Sequence, residues 1–297
     1  MICGANGQLG RDCTRVFQKN NQVDAFGSND LDITDSTIVE KMMGIVSPDV
    51  VINCAAYTNV DKSELDEDLA FKVNAVGAGN IASSCQALGA IMVHISTDYV
   101  FDGKKELPLA YIETDKTSPL GVYGRSKLEG EKLVAKNVEK HIIVRTAWLY
   151  GAYGNNFLKT MLRLALSNPH QTIRVVNDQY GSPTWTLRLA LQLESVILAK
   201  GQGVYHATSE GYCSWYELAS YFLKRIEVEH NIIACTTAEY PTTAMRPLNS
   251  ILNNARLKLA RINRMTGWRY GVDMFISRYR KELLEECFPI TLGYNHG

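Results

Sequence analysis

Three glycines near the start of the chain constrain its fold more than any other feature. Gly4, Gly7 and Gly10 form the pattern G-x-x-G-x-x-G, and apolar residues recur at helical spacing from Leu9 to Phe17. Such glycines permit a tight strand-to-helix bend, close approach of a pyrophosphate, and close packing of helix on strand. The pattern predicts a dinucleotide-binding turn, with an ordinary glycine-rich turn as the alternative. Because only three residues precede Gly4, we expect a short first strand.

Apolar runs then alternate with helical patterns. Val50–Cys54, Ile91–Ile95 and His141–Arg145 are short enough for buried strands, and the segments 36–46 and 69–88 between them have helical spacing. This alternation predicts an α/β fold with a doubly wound, Rossmann-like parallel sheet, whose strand carboxyl ends carry the chemistry.

The alternation weakens from Trp148 onward, where loops are rich in Gly, Asn, Pro and Tyr. A late helix is expected to open at Ser214, because Glu217 completes capping-box spacing. We predict a dinucleotide-binding domain over residues 1–147, with segments returning from the later half. Residues 148–297 would form mainly a smaller, interleaved substrate-binding lobe.

Composition excludes several classes of partner. Basic and acidic residues both number 31, so no overall positive field favours nucleic acid or an anionic membrane. The seven cysteines are scattered and odd in number, which is typical of reduced buried thiols rather than a metal site. No apolar stretch approaches the roughly 20 residues that span a bilayer. We therefore expect a cytoplasmic protein without bound metal.

Tyr123 and Lys127 form the pattern Y-x-x-x-K. Residues four apart share one helix face, so the ammonium is expected to sit beside the phenol and favour its ionised form. With the glycine turn, this pair suggests hydride transfer with Tyr123 as the proton donor. Taken alone, the commoner meaning of the pattern is a solvent-facing helix pair. Thr97, at a predicted strand end, could hydrogen-bond the same carbonyl, although an ST-turn is the alternative.

The predicted second strand, residues 23–26, bears on the choice of cofactor. An acidic residue holding the adenosine ribose would stand near its end, where this chain has Gly27 and Ser28. The absence of a carboxylate there favours NADPH. NADH stays open because Asp24 and Asp30 lie close in sequence. Asp32 is expected beside the adenine or, alternatively, at the cap of the following helix.

Seven motifs in order carry a family resemblance. The chain resembles the extended short-chain dehydrogenase/reductase family, and within it the dTDP-4-dehydrorhamnose reductases, over nearly its whole length. The motifs are GANGQLG from Gly4, NCAAYTNVDKSE from Asn53, STDYVFDG from Ser96, YGRSKLEGE from Tyr123, RTAWLYG from Arg145, GNNF from Gly154 and NDQYGSPT from Asn177.

The resemblance implies NADPH-dependent reduction of the C4 keto group of a nucleotide-linked 4-keto-6-deoxyhexose, converting dTDP-4-dehydro-L-rhamnose to dTDP-L-rhamnose for cell-surface polysaccharide synthesis. It implies Thr97, Tyr123 and Lys127 as the catalytic residues, and a homodimer as one possible assembly. The predicted cofactor residues are Gly4, Asn6, Gly7, Gln8, Leu9, Gly10, Ser28, Asp32, Ile33, Ala55, Ala56, Tyr57, Asn74, Tyr123 and Lys127. The predicted substrate residues are Thr97, Asp98, Trp148, Asn156, Phe157, Gln179 and Arg246.

Two rival functions share much of this pattern. A sugar-nucleotide epimerase or dehydratase would retain and regenerate NAD, but Tyr99 stands where the resemblance places a glutamate in dehydratases. A non-catalytic regulatory subunit of methionine adenosyltransferase would keep the cofactor residues. The intact Trp148 and the run from Asn177 to Thr184 favour a working sugar pocket.

Overall fold

A computed structural model describes residues 1–287. Its centre is a six-stranded parallel sheet, which confirms the predicted doubly wound α/β fold. The strand order is β10-β5-β4-β3-β1-β2. The strands are β1 (Ile2–Cys3), β2 (Ala25–Phe26), β3 (Val50–Asn53), β4 (Ile91–Thr97), β5 (His141–Thr146), β6 (Leu149–Tyr150), β7 (Thr172–Val176), β8 (Tyr180–Gly181), β9 (Thr184–Trp185), β10 (Gly203–His206), β11 (Cys213–Ser214) and β12 (Asn231–Cys235).

Helices cover both faces of this sheet. Apolar residues of α1 and α8 belong to one buried cluster, and those of α2, α5 and α6 belong to a second. The described helices are α1 (Gln8–Phe17), α2 (Ser36–Val46), α3 (Val60–Ser63), α4 (Glu67–Phe71), α5 (Ala78–Leu88), α6 (Val122–Asn137), α7 (Phe157–Ser167), α8 (Thr186–Leu198), α9 (Trp215–Arg225), α10 (Ala255–Leu259) and α11 (Trp268–Cys287).

The early elements follow the predicted pattern with small differences. Helix α2 has the predicted bounds because Asp35 caps it, accepting from the backbone N–H groups of Thr37 and Ile38 at 2.9 and 3.1 Å. Asp32 does not cap this helix; its carboxylate accepts from the Thr34 N–H at 2.9 Å. Strand β2 begins at Ala25 rather than at residue 23. Strand β1 is two residues long, as expected.

The predicted helix over residues 69–88 is not continuous. It consists of α4, a π-helical stretch at Lys72–Gly77, and α5. The π-helical stretch contains Asn74, whose amide bonds both backbone groups of Tyr57, donating to its carbonyl at 3.2 Å and accepting from its N–H at 2.9 Å. Extra residues of this kind are common near functional sites, because they shift side chains out of the regular helical register.

The later half returns to the main sheet through β10, which pairs with β5. The remaining strands form three two-stranded pairs, β6 with β9, β7 with β12, and β8 with β11. Helix α9 begins with the predicted capping box between Ser214 and Glu217. The division into residues 1–147 and 148–297 stays a prediction, and residues 288–297 of that lobe lie outside the described part. Over residues 1–287, no helix is both long and apolar enough to cross a bilayer.

Candidate active site

A cavity of about 730 Å³ lies at the carboxyl ends of the central strands. Its wall includes the glycine turn after β1, the residues after β3 and β4, and part of the segment after β5. This edge of an open parallel sheet is where ligands of doubly wound folds bind. The fold therefore brings the predicted cofactor turn and the Tyr123 helix to one cavity.

The glycine turn is shaped to receive an anion. Gly4 has a φ of +75°, and a Cβ there would lie 2.6 Å from the backbone nitrogen of Ala55. Helix α1 starts after Gly7, which has no side chain to cap the first N–H groups. Gly7, Gln8 and Leu9 line the cavity, so the free N–H groups and the positive helix end face its interior. This is the arrangement that binds a dinucleotide pyrophosphate.

The end of β2 carries no carboxylate at the two positions next to it. Gly27 and Ser28 line the cavity, and the Gly27 N–H donates to the Asp30 carboxylate at 2.9 Å. Asp32 and Ile33 line the same region. Ser28 therefore offers a hydroxyl near the end of β2, whereas the Asp30 carboxylate is engaged by backbone.

Tyr123 and Thr97 line the same cavity and lie next to each other. Thr97 is the last residue of β4, and Tyr123 lies in the first turn of α6. Burial raises the pKa of Tyr123 above its ordinary value, and the neighbouring Thr97 hydroxyl opposes part of that rise. Thr97 also accepts from the Tyr99 N–H at 3.2 Å, so it caps a short 3-10 turn while lining the cavity.

Lys127 differs from the sequence-based expectation. Its Nζ donates to the backbone carbonyl of Ile95 at 2.6 Å, and no hydrogen bond to the Tyr123 phenol is present among the described residues. The side chain is only 2% exposed, and burial lowers its pKa to about 8. The expected depression of the phenol pKa by a neighbouring ammonium is therefore not found, because the lysine reaches from α6 to the β4 backbone.

Asp98 is a buried carboxyl beside the same hydroxyl. Its Oδ1 accepts from the Thr97 Oγ1 at 3.0 Å, and its Oδ2 is buried without a hydrogen-bond partner among the described residues. Burial raises the pKa of Asp98 to about 6, against hydrogen bonds that lower it. Asp98 therefore lines the cavity with a carboxyl that burial makes easier to protonate.

Trp148 follows β5 and is also part of the cavity wall. Its φ of +50° is unusual for a bulky residue. The Trp148 indole stacks on that of Trp215, with ring centroids 3.4 Å apart. It also packs on Gly181, since a Cβ at residue 181 would lie 2.6 Å from the Trp148 Nε1. Both tryptophans line the cavity. They form a rigid apolar surface next to the polar groups of Thr97 and Asp98.

Residues 1–281 match the family described as the RmlD substrate binding domain. The chain belongs to this family.

This RmlD-family chain is similar to its relatives over nearly its whole length. The dTDP-4-dehydrorhamnose reductase of Aggregatibacter actinomycetemcomitans is 41% identical over 274 residues, 88% of this chain and 92% of that protein. A reductase of the same name from Clostridium acetobutylicum has a structure with a TM-score of 0.91 at 42% identity, covering 94% of this chain and 98% of that one. The Bacillus anthracis reductase, solved in complex with NADP, has a TM-score of 0.90 at 39% identity, covering 93% and 98%.

Most of the predicted site residues of this RmlD-family protein lie on the cavity wall. The three predicted catalytic residues are all there. The other predicted residues on the wall are Gly4, Asn6, Gly7, Gln8, Leu9, Gly10, Ser28, Asp32, Ile33, Ala55, Ala56, Asp98, Trp148 and Arg246.

Five predicted residues are not on that wall. The Tyr57 hydroxyl donates to Asp66 at 3.0 Å, and Asn74 holds the Tyr57 backbone and the Ser126 hydroxyl. Asn156 caps α7, accepting from the Lys159 N–H at 3.2 Å. The other two serve packing and support: Phe157 packs on Trp215, and Gln179 donates to the Thr237 hydroxyl at 3.1 Å.

Arg246, predicted as a substrate residue, lies on the cavity wall and also forms an ion pair. It pairs with Asp61 and also lines the cavity near Tyr99. The guanidinium therefore has one carboxylate partner, Asp61, and its Nε–H donates to the Thr242 hydroxyl at 3.4 Å.

Several wall residues were not among the predicted ones. Trp215 is distant in sequence from Trp148, and its position within a capping box indicated only that a helix begins there. The others are Gly27, Leu31, Thr34, Cys54, Thr58, Val60, Val73, Ile95, Ser96, Tyr99, Thr146, Ala147, Leu149, Gly154 and Asn155. Among residues 1–287, no group of three or more metal-ligating acidic, histidine or cysteine side chains is found.

Proposed function

We propose that this protein reduces the C4 keto group of a nucleotide-linked 4-keto-6-deoxyhexose with NADPH, as in the conversion of dTDP-4-dehydro-L-rhamnose to dTDP-L-rhamnose. One observation carries the proposal: the uncapped glycine turn and the Thr97, Tyr123 and Lys127 side chains line the same cavity. The relatives named dTDP-4-dehydrorhamnose reductase support the substrate class.

The chain fits a nicotinamide dinucleotide along this cavity. Gly7, Gln8 and Leu9 would hold the pyrophosphate through backbone N–H groups, and Ser28 would lie near the adenosine ribose. A carboxylate at Gly27 or Ser28 would repel a 2′-phosphate, and neither position has one. The Bacillus anthracis relative was solved with NADP, which supports the same preference here.

Tyr123 would act as the general acid. When bound, the cofactor supplies a hydride to the carbonyl carbon. The neutral phenol then gives its proton to the carbonyl oxygen as negative charge develops there, and its raised pKa keeps it protonated at neutral pH. When substrate binds, the Thr97 hydroxyl would turn from the Asp98 carboxylate, donate its hydrogen bond to the same oxygen and hold it in place. Lys127, once protonated, would stabilise the phenolate that Tyr123 becomes.

The sugar would bind between the aromatic and polar walls. The stacked Trp148 and Trp215 offer apolar surface to the deoxygenated side of the hexose, and the Asp98 carboxyl on the same wall offers an acceptor to a sugar hydroxyl. Arg246 would meet the anionic part of the substrate, because it lines the cavity with only one carboxylate partner.

The residues of the site do not match either of the two rival functions. A dehydratase requires a second acid–base pair, and Tyr99, whose pKa burial raises to about 12, stands where the glutamate is expected. A regulatory subunit has no use for the paired tryptophans on the cavity wall. The cytoplasmic location, the homodimer and the division into two domains stay predictions.

The proposal is tested by supplying nucleotide-linked 4-keto-6-deoxyhexoses to the purified protein and following NADPH oxidation at 340 nm. We expect one mole of NADPH consumed for each mole of sugar nucleotide reduced. Conversion of substrate without net NADPH oxidation would indicate an epimerase or dehydratase. No turnover across the panel, together with co-purification of a methionine adenosyltransferase, would favour the regulatory subunit.

A further inference from the structure

A buried histidine lies directly behind Lys127 and has no part in the proposed chemistry. His94 is in β4 and is 0% exposed. Its Nδ1 lies 3.3 Å from the Asn53 side-chain nitrogen, and its Nε2 lies 3.5 Å from the Lys127 Nζ. The imidazole therefore connects the end of β3 with the amine.

The orientation of the Asn53 amide decides which ring nitrogen carries the proton. The backbone N–H of Ala55 donates to the Asn53 Oδ1 at 3.0 Å, which fixes the oxygen away from the ring. The NH2 group consequently faces the His94 Nδ1. An NH2 group can only donate, so the Nδ1 is the acceptor and the proton of a neutral ring is on the Nε2.

The ring is neutral because a buried imidazolium beside a lysine is doubly unfavourable. Burial lowers the pKa of His94 well below its ordinary value, and Lys127 lowers it further. The Nε2–H then points at the Lys127 Nζ. A neutral amine satisfies both neighbours, because its lone pair accepts from the His94 Nε2–H while one of its N–H groups donates to the Ile95 carbonyl.

We propose that His94, as the Nε2–H tautomer, is a positioning residue that donates to the Lys127 Nζ and favours the neutral amine in the ligand-free protein. The catalytic consequence rests on the proposed function: because the pKa of Lys127 is about 8, the amine is mostly protonated at neutral pH, and His94 helps to set the pH above which it no longer supports Tyr123. The hydrogen-bonded series Ala55, Asn53, His94 and Lys127 thereby links the cofactor wall to the protonation state of the amine.

Two other titratable groups near the amine affect the pKa of Lys127. Glu131, one turn further along α6, and Cys54, after β3, both raise the pKa of Lys127, against the larger lowering caused by burial. Tyr123 lies one turn earlier on the same helix. Among these neighbours His94 is uncharged, so its effect on the pKa of Lys127 depends on its tautomer. The pKa is lowered if the ring donates to the amine and raised if the ring accepts from it.

The tautomer can be read directly by nitrogen-15 NMR of histidine-labelled, ligand-free protein. His206 is the internal control: it is equally buried, but its Nδ1 lies 3.2 Å from the Tyr111 carbonyl and must therefore carry the proton. We expect two neutral buried rings of opposite tautomer between pH 6 and 9. An Nδ1–H or cationic His94 would overturn the proposal, whatever the outcome of the turnover assays.

Two variants test the link to Lys127. Asn53→Asp keeps an acceptor for the Ala55 N–H but places a carboxylate oxygen beside the Nδ1, so the His94 tautomer should switch to Nδ1–H. His94→Phe removes the donor at similar ring size, and the midpoint of Lys127 in a nitrogen-15 lysine titration should rise by about 0.5 to 1 pH unit. An unchanged tautomer in the first variant, or an unchanged or lowered midpoint in the second, would contradict the proposal.

Discussion

The indole rings of Trp148 and Trp215 stack face to face, with centroids 3.4 Å apart and planes 5° from parallel. Trp148 reaches this position from a left-handed backbone conformation, which costs a non-glycine residue about 1 to 2 kcal/mol. The stack offsets that cost and holds the ring on the wall of the cavity. Trp215 is therefore the support on which the proposed substrate role of Trp148 depends.

Trp215→Ala should weaken binding of the sugar nucleotide, because Trp148 loses the partner that keeps it in place. We expect the KM for the ketosugar to rise about 10-fold, equivalent to ~1.4 kcal/mol, with a smaller change in kcat. Steady-state kinetics measure this, and near-UV circular dichroism reports loss of the stacked pair. Trp215→Phe, which retains an aromatic face, is the matched control. Equal KM values for the alanine variant and the unmodified protein would remove Trp215 from the site.

Asp98 makes the stability of the protein depend on pH. Its folded-state pKa of about 6 lies above the ordinary value, so the fold favours the protonated form. Its contribution to stability is fully present below the unfolded pKa and is lost as pH rises through about 6. Asp98→Asn should therefore become more stable relative to the unmodified protein between pH 4 and 7, by up to ~3 kcal/mol.

Chemical denaturation of both proteins at several pH values measures this difference. The comparison isolates the titration, because a constant cost of the new amide contributes equally at every pH. A stability difference that stays flat from pH 4 to 8 would show that Asp98 does not titrate in this range.

Ser28 provides a test of cofactor preference. It lines the cavity next to the end of β2 and is exposed, so a larger acidic side chain can be accommodated. Ser28→Asp should lower kcat/KM for NADPH by about 10- to 100-fold through repulsion of the 2′-phosphate, and change that for NADH much less. Ser28→Asn, which is similar in size but uncharged, separates charge from bulk. Equal losses with both cofactors would place the 2′-phosphate elsewhere.

The fold could be predicted from sequence because its signals are local. The turn from Gly4 to Gly10 and the apolar runs of β3 and β4 are each specified by neighbouring residues, whereas the Asp35 cap of α2 was not predicted. The π-helical interruption before α5 could not be read in this way, because its hydrogen bonds to Tyr57 come from a distant part of the chain.

The site residues could be predicted only where a short sequence motif determines the local backbone structure. Tyr123, Thr97 and the glycine turn stand in such motifs and line one cavity. The partner of Lys127 was predicted wrongly, because helix spacing indicates a shared face but not which carbonyl the flexible side chain reaches. Trp215 was missed since its contact with Trp148 is made only in the folded chain. Asn156 and Phe157, which adjoin each other in a motif, serve helix capping and packing.

The most direct test of the central claim is Tyr123→Phe. This change removes the phenolic proton, leaves the ring that packs edge-on against Tyr99, and does not touch the glycine turn. With dTDP-4-dehydro-L-rhamnose, we predict that kcat falls about 10²- to 10⁴-fold, the range for loss of a general acid. The Kd for NADPH, measured by fluorescence, should stay within about threefold of the original. A variant that binds NADPH and reduces the ketosugar at near the original rate would contradict the account.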